Sequence, residues 1–160
     1  MTTQRKTASR KSARSAGAPS IIVGWREWVG LPDFGDFRVK AKIDTGARTS
    51  AIHAWKIKPF EKDGEPWVRF ELHPNQDDNL TRIPCEMPVL ESREIRSSNG
   101  QVQTRYVVST RLRIGLYTWP IELTLTRRDE MGFRMLIGRT ALRPNALVDP
   151  ARSFLCSATL

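Results

Sequence analysis

Hydrophobic and polar residues alternate with a period of two along much of the chain after residue 20. Val68, Phe70 and Leu72 share one face of such a segment, and polar residues stand between them. The run 105–112 alternates in the same way. This period is typical of half-buried β-strands. Short strands at this spacing, with a single helical turn from Arg139, predict an all-β protein folded as a closed barrel.

Turn-forming residues set the bounds of the predicted strands. Asp63-Gly64 is a hairpin signal, whereas Pro84 and Pro88 suit an edge strand or a bulge more than a central strand. A long hairpin is predicted over 93–113, with its turn at residues 97–100. The other predicted strands and extended segments cover residues 21–29, 37–43, 51–60, 68–72, 81–91, 119–126, 133–137 and 146–148.

The first 20 residues differ in composition from the rest. They hold five of the 26 basic side chains and no acidic one, which leaves 21 basic against 17 acidic residues for the remainder of a chain with a formal net charge of +9. Without Leu, Ile, Val or aromatic residues, this segment cannot bury enough apolar surface to order itself. We predict a disordered basic tail over 1–20 and a folded domain over 21–160. The tail is either a solvated segment or an electrostatic tether to RNA or a ribosome.

Length and composition favour one cytoplasmic domain. A chain of 160 residues with 39% hydrophobic residues can bury a core of its own. No apolar run approaches the ~20 residues of a membrane span, and the N-terminus lacks the apolar core of a signal peptide. We therefore expect a soluble cytoplasmic protein with no membrane partner. Cys85 and Cys156 are too few for a disulfide framework and are expected to be buried or inert thiols.

Candidate ligands for a metal or a nucleotide are sparse. His53, His73, Cys85 and Cys156 include no pair at close ligand spacing, and the chain has no His-Glu-x-x-His sequence. Lone histidines on alternating strands are usually packing or surface residues. A Gly-x-x-x-x-Gly-Lys-Ser/Thr loop is absent as well. We therefore predict no metal and no nucleotide cofactor.

One carboxylate stands at the end of the strand predicted over 37–43. Asp44 is followed by Thr45 and Gly46, the arrangement that an aspartic peptidase needs. The carboxylate must sit at a fixed point, and Gly46 lets backbone N–H groups come close enough to hydrogen-bond it. The Thr45 hydroxyl can lock the turn to neighbouring backbone. Asp-Thr-Gly is also an ordinary turn tripeptide, so the motif alone leaves both interpretations open.

A second motif near the C-terminus adds to the first. Residues 135–142 form an apolar strand that runs into Gly-Arg and a short helical turn. Together with residues 43–47, this segment resembles the retropepsins, the single-domain aspartic peptidases. With residues 93–100 in the middle, the chain resembles over about 22–155 the retropepsin-like family long labelled "ATP-dependent zinc proteases". Members of that family are associated with ribosomal-protein glutamate ligases of the ATP-grasp type.

The resemblance implies roles for several residues. Two copies of Asp44 would form the catalytic dyad, Thr45 would hydrogen-bond across the two-fold axis, and Gly46 would border the substrate. The chain has a single Asp-Thr-Gly, so the dyad requires a homodimer whose isologous interface brings identical residues together. The hairpin over 93–106 matches the retropepsin flap in position, with an ordinary hairpin as the alternative. Arg139 is assigned to structure, as support for the turn or the dimer base.

Basic side chains flank the predicted site. Guanidinium groups bind carboxylates bidentately, whereas an enzyme that cleaves hydrophobic peptides would more often place apolar residues at such points. The pattern therefore favours an acidic, glutamate-rich substrate, although any one of these arginines could be a solvated surface residue. The predicted substrate-binding residues are Ala47, Arg48, Arg93, Arg96, Ser98, Asn99, Gly100 and Arg105.

The function predicted from these features is that of a homodimeric aspartic endopeptidase, which hydrolyses peptide bonds in acidic peptides. The family's neighbours suggest glutamate tails on a ribosomal protein as the substrate, with an ATP-grasp glutamate ligase and the ribosome as partners. Any use of ATP would belong to the ligase. The alternative is a non-catalytic basic β-barrel adaptor that binds ribosomes or the ligase, with Asp44 in a structural turn.

Overall fold

The computed structural model describes residues 21–75, 80–96, 99–127, 132–143 and 145–157. The basic tail predicted over 1–20 lies outside these residues. In the described part of the chain, no helix has the length and hydropathy that a membrane span requires. The strands in chain order are β1 Ile21–Val23, β2 Arg26–Gly30, β3 Arg38–Ile43, β4 Ser50–His53, β5 Trp55–Lys62, β6 Glu65–Leu72, β7 Ile83–Pro88, β8 Glu91–Arg96, β9 Val102–Ile114, β10 Tyr117–Thr126, β11 Met135–Ile137 and β12 Ala146–Val148, and the helix α1 is Arg139–Leu142.

Six strands of the described residues form a ring, in the order β10, β4, β11, β3, β2 and β9. The ring closes because β9 also pairs antiparallel with β10, from Ile114 opposite Tyr117 to Val107 opposite Thr124. β2 pairs with β9 at a single register position, where Gly30 lies opposite Arg113. The all-β class and the closed barrel predicted from the sequence are confirmed.

The barrel interior is filled by the apolar faces of these strands. On β3, Val39, Ala41 and Ile43 are buried, while the two lysines between them are only half-buried. Val108 on β9 and Leu123 on β10 are completely buried. The period-two pattern therefore places one face of each strand in the core. Because β3 is paired on one edge with β2 and on the other with β11, the loop that follows it starts from a fixed point.

A second sheet of the described residues has the order β5, β6, β7. The hairpin between β5 and β6 turns through Asp63 and Gly64, whose φ angles of 54° and 79° suit the tight turn that an Asp-Gly pair favours. Pro84 and Pro88 lie on β7 at the edge of this sheet, where a missing N–H donor is tolerated. The predicted hairpin and the predicted edge strand are both confirmed.

The long hairpin predicted in the middle of the chain is formed by β8 and the first part of β9. Its register places Arg93 directly opposite Arg105. Gly100 in the turn has a φ of 88°, a conformation that glycine adopts without strain. Ser97 and Ser98 lie outside the described residues. β8 is the edge strand of its sheet, and every residue on it is exposed.

Two predicted strands are each divided in the structure. The segment predicted over 21–29 is split at Gly24, where an added Cβ would lie 2.3 Å from the main-chain oxygen of Arg152. β1 then pairs with β12, and β2 enters the barrel. The segment predicted over 51–60 is split between β4 and β5, and Lys56 just after the break has a φ of 54°. The break at Gly24 arises from the close approach of Arg152, which the hydrophobic period does not encode.

Candidate active site

The loop between β3 and β4, residues 44–49, which we call the Asp44 loop, is fixed by main-chain hydrogen bonds. The N–H of Asp44 donates to the carbonyl of Ile137 at 2.8 Å, and the N–H of Ala47 donates to the carbonyl of Asp44 at 3.1 Å. The N–H of Gly46 donates to Oδ1 of the Asp44 carboxylate at 3.0 Å, which confirms the close approach predicted for this glycine. A Cβ at residue 46 would lie 3.3 Å from that oxygen, a tight contact that glycine avoids.

Residues of helix α1 hold one side of the loop. The Arg139 guanidinium donates from Nη1 to the carbonyl oxygens of Thr45 and Gly46, at 3.3 Å and 3.2 Å. The Thr140 hydroxyl donates to the carbonyl of Arg48 at 2.9 Å. Hydrogen bonds from a charged donor are stronger than neutral ones. The prediction that Arg139 supports this turn is therefore confirmed.

Gly138 lets the C-terminal motif approach the Asp44 loop closely. An added Cβ would lie 2.6 Å from the carbonyl carbon and oxygen of Thr49. The N–H of Gly138 donates to the buried hydroxyl of Ser50 at 3.0 Å. Main-chain atoms cannot move aside as a flexible side chain can, so any larger residue at 138 would push α1 away from the loop.

The Asp44 carboxylate lies at the surface of the single chain. Asp44 is half-buried, and Thr45 and Gly46 are exposed. A loop that is fixed through its main chain and open on its outer side has room for water, a peptide or a second carboxylate. The hydrogen bond predicted for Thr45 across a two-fold axis involves a second copy and stays a prediction.

A cavity of about 290 Å³, which we call the Arg105 cavity, opens beside the Asp44 loop. It brings together three of the predicted substrate-binding residues, Ala47, Arg93 and Arg105. The Nε atom of Arg105 is buried and has no hydrogen-bond partner within the described part of the chain. The residues that line the cavity are Ala47, Thr49, Ala51, Arg93, Ile95, Arg105, Thr124, Thr126 and Leu136.

A second cavity, of about 450 Å³, shares Thr49 and Arg93 with the first, and we call it the Arg48 cavity. It differs from the Arg105 cavity in having an acidic residue, Glu122, on its wall. The residues that line it are Arg48, Thr49, Arg93, Ser109, Pro120, Ile121, Glu122, Thr140 and Ala141.

The predicted substrate-binding residues at the hairpin tip that the structure describes line neither of these two cavities. Nη1 of Arg96 donates to the carbonyl of Gly100 at 3.5 Å. The side-chain oxygen of Asn99 accepts a hydrogen bond from the N–H of Gln101 at 3.1 Å. These contacts stabilise the turn itself. Ser98 lies outside the described residues, and a role of the tip toward a substrate stays a prediction.

Glu91 is a neighbour of the arginines that sequence reasoning missed. Its carboxylate accepts a hydrogen bond from Nε of Arg93 at 2.6 Å. This bond lowers the pKa of Glu91 below its ordinary value, and the positive charges of Arg93 and Arg48 act in the same direction. The pairing of Glu91 with Arg93 could have been predicted from the sequence, because residues two apart on a strand point to the same face.

The two histidines pack against an aromatic ring. His53 and His73 both stack on Trp55, with ring centroids 3.9 Å and 3.8 Å from it, and Nε2 of His73 lies 3.2 Å from Oε1 of Glu71. Within the ranges that the structure describes, no group of three or more His, Cys, Asp or Glu side chains is placed to hold a metal ion. Burial raises the pKa of Cys85 to about 12, which suits the inert thiol that was expected.

A closed barrel in which an Asp-Thr-Gly loop after a strand is held by a C-terminal Gly-Arg turn defines a retropepsin-like protein. The chain belongs to the RimB-like family, whose model, described as "Retropepsin-like aspartic endopeptidase RimB", matches residues 22–159. The resemblance inferred from the three sequence motifs is confirmed by this match.

Curated relatives of the chain are longer proteins. A protein of Shewanella halifaxensis named "Probable alpha-L-glutamate ligase" is 50% identical over 134 residues, which cover 84% of this chain and 29% of the relative. Proteins of the same name from Parasynechococcus marenigrum and Desulfotalea psychrophila are 50% and 47% identical, over 83% and 81% of this chain and 28% of each relative. The chain therefore spans less than one third of the length of these relatives.

A solved structure shares the fold. It is the crystal structure of a protein of unknown function (DUF785) from Legionella pneumophila, with a TM-score of 0.71 and 28% sequence identity. The match covers 85% of this chain and 98% of that chain. Nearly the whole of the Legionella protein therefore corresponds to the barrel and sheets described above.

Proposed function

We propose that the chain is an aspartic endopeptidase of acidic peptides, with a catalytic dyad made of Asp44 from each of two copies. The observation that carries the proposal is the Asp-Thr-Gly loop, which is fixed by Ile137 and Arg139 beside a cavity lined by arginines. Membership of a family described as aspartic endopeptidases supports the same activity. A single Asp-Thr-Gly in the chain means that the second carboxylate comes from a second copy.

The reaction uses two carboxyl groups that share one proton, because two carboxylates held close together cannot both ionise. The ionised group takes a proton from a water molecule while the water oxygen attacks the scissile carbonyl carbon. The protonated group gives its proton to the carbonyl oxygen, and a tetrahedral diol forms. When the diol collapses, the C–N bond breaks, the first group protonates the departing amine, and the second takes its proton back.

An acidic substrate is supported by the charges around the loop. Arg48, Arg93 and Arg105 line the two cavities next to it, and guanidinium groups bind carboxylates in a bidentate geometry. The curated relatives carry a name that refers to glutamate ligation. We therefore propose oligoglutamate tails, such as those on a ribosomal protein, as the substrate.

Cleavage of a peptide with an oligoglutamate tail by the full chain tests the activity. Asp44→Asn keeps the size of the side chain but removes the proton-sharing carboxyl group, so we expect kcat to fall by ~10²–10⁴-fold or more. Asp36→Asn, which changes an exposed acidic residue before β3, is the matched control and should leave kcat unchanged. Chelators should have no effect. Equal cleavage by wild type and Asp44→Asn would contradict the role assigned to Asp44.

A second candidate function is that of a non-catalytic adaptor for a glutamate ligase or a ribosome. It is favoured by the curated relatives, in which the matched segment is a minor part of a chain named as a probable ligase, and by the net charge of +9. Sedimentation over a range of concentrations separates the two candidates, because a strict monomer cannot assemble the dyad. If the chain has both functions, a variant without residues 1–20 that loses ribosome binding but keeps peptidase activity would show that the two are separable.

A further inference from the structure

Arg93 and Arg105 form a cross-strand pair of like charge on the β8–β9 hairpin. They are direct register partners, and both line the Arg105 cavity. In an antiparallel pair, directly opposite residues have Cβ atoms about 5 Å apart, and like charges at these positions destabilise the sheet. Such a pair on the wall of a cavity is stabilised by an anion that lies between the two side chains.

Arg105 is the member of the pair that forms no ion pair with the other described residues. Arg93 already donates through Nε to Glu91 at 2.6 Å. Nε of Arg105 is buried with no hydrogen-bond partner among the residues that the structure describes, and a buried donor without a partner costs free energy. Other arginines in the described part of the chain share this feature at Nε, but Arg105 is the one among them that lines a cavity beside the Asp44 loop.

The lining of the Arg105 cavity fits an acidic side chain. Among the described residues, its wall includes no Asp or Glu, in contrast to the Arg48 cavity with Glu122. Apart from the two arginines, the wall consists of apolar side chains and threonines, such as Ile95 and Thr124. An apolar wall suits the methylene groups of a glutamate, while the guanidinium groups suit its carboxylate.

We propose that the Arg105 cavity is the subsite that binds the side-chain carboxylate of a substrate glutamate, with Arg105 as the residue that selects glutamate over its uncharged amide. This inference rests on the proposed function and names its specificity determinant. Arg105 contributes guanidinium N–H groups to the carboxylate. Arg93 forms the other side of the clamp and is held in place by Glu91.

Binding of an oligoglutamate peptide to the full chain tests this subsite without requiring cleavage. The probes are an oligoglutamate and copies of it with one Glu replaced by Gln, titrated by calorimetry into Asp44→Asn protein so that the peptide stays intact. In that background, we expect Arg105→Gln to weaken oligoglutamate binding about 10- to 100-fold. In the Arg105→Gln variant, the preference for Glu over Gln at one or more peptide positions should also disappear.

A matched control separates this subsite from general charge. Arg69→Gln removes an exposed arginine that pairs with Glu86 on the other sheet, and it should leave the affinity unchanged. Arg105→Gln also removes like-charge repulsion, so the free variant should unfold at a temperature equal to or above that of its parent. Lost binding with intact folding is therefore the expected combination.

The outcomes for the subsite and for the peptidase activity are distinct. The subsite proposal is wrong if the parent does not bind oligoglutamate, if Arg105→Gln binds it as tightly as the parent, or if Arg105→Gln keeps the preference for Glu at every position. If wild type binds oligoglutamate with this preference but does not cleave it, the proposed peptidase function fails while the subsite stands.

Discussion

At the scale of single residues, a buried carboxylate joins the first barrel strand to the C-terminal segment. Glu27 on β2 is completely buried. It accepts hydrogen bonds from the N–H groups of Gly24 at 2.7 Å, Leu155 at 2.7 Å and Cys156 at 3.0 Å, and from the Ser157 hydroxyl at 3.0 Å. A carboxylate can accept this many bonds, so the charge is buried with its hydrogen-bonding capacity used.

Glu27→Gln is expected to destabilise the fold strongly. The new amide NH₂ group would face N–H donors, so at least one buried donor would lose its partner. We expect the free energy of unfolding in urea to fall by about 2–4 kcal/mol. Glu61→Gln, at an exposed position on β5, is the control and should change it by less than ~0.5 kcal/mol. Equal stability of the two variants would contradict the role given to Glu27.

Asp33 is a second carboxylate that connects distant segments. It accepts hydrogen bonds from the Thr110 hydroxyl and from the N–H and guanidinium of Arg111, each at 2.9 Å. Burial alone would raise its pKa, but the hydrogen bonds from Arg111 and Thr110 outweigh burial and lower the pKa. Because the folded-state pKa lies below the unfolded value, Asp33 contributes stability above the unfolded pKa and loses it as pH falls through the folded pKa.

Asp33→Asn therefore has an effect on stability that depends on pH. At pH 7 we expect the variant to lose about 1–3 kcal/mol of unfolding free energy relative to wild type. The difference should narrow as pH falls below about 4, where Asp33 in the unfolded wild type takes up a proton, and should be smallest below the folded-state pKa. Urea unfolding at several pH values measures this difference in unfolding free energy, with Asp36→Asn as the exposed control. A difference that stays constant from neutral to acidic pH would show that the charge of Asp33 is not involved.

At the scale of elements, the contact between α1 and the Asp44 loop makes the position of the Asp44 carboxylate depend on Gly138. Gly138→Ala would place a Cβ 2.6 Å from the main chain of Thr49. We expect a loss of about 3 kcal/mol or more in unfolding free energy from this overlap, together with a lower kcat because the loop is displaced. Gly30→Ala is the matched control, because the atoms nearest to its Cβ would belong to the flexible Arg113 side chain, at 3.5 Å or more. Wild-type kcat in Gly138→Ala would contradict this coupling.

The elements that the sequence predicts well are those defined by local pattern. The alternation along β9 and the Asp63-Gly64 hairpin need only the period of two and the turn preference of a dipeptide. The breaks at Gly24 and Ala54 were missed because they lie where the main chain meets distant segments, at Arg152 and at Thr126. His73 shows the same limit, since it continues the polar face of its strand in the sequence but is buried against Trp55.

The candidate site was predictable to a similar extent. The Asp44 loop and Arg139 carry recognisable motifs, and the structure places them in hydrogen-bonded contact. The opposition of Arg93 and Arg105 depends on the strand register, which a single sequence does not provide. Glu27 was missed for a related reason, because its partners at the C-terminus lie about 130 residues away in the chain.

At the scale of the whole molecule, a single copy contains the closed barrel but half of the proposed dyad. The ring of strands closes within the chain, so folding does not require a partner to complete the barrel. Catalysis by a pair of Asp44 carboxyl groups does require one. Activity should therefore follow the concentration of dimer, and the composition of each dimer should decide whether it cleaves.

Mixing wild type with Asp44→Asn measures this dependence directly. The two proteins are refolded together at a fixed total concentration, and cleavage of the oligoglutamate-tailed peptide is recorded as the wild-type fraction changes. If each dyad takes one Asp44 from each copy, activity falls as the square of the wild-type fraction, to about one quarter at equal parts. A linear fall, to about one half at equal parts, would contradict the shared dyad and show that each copy acts alone.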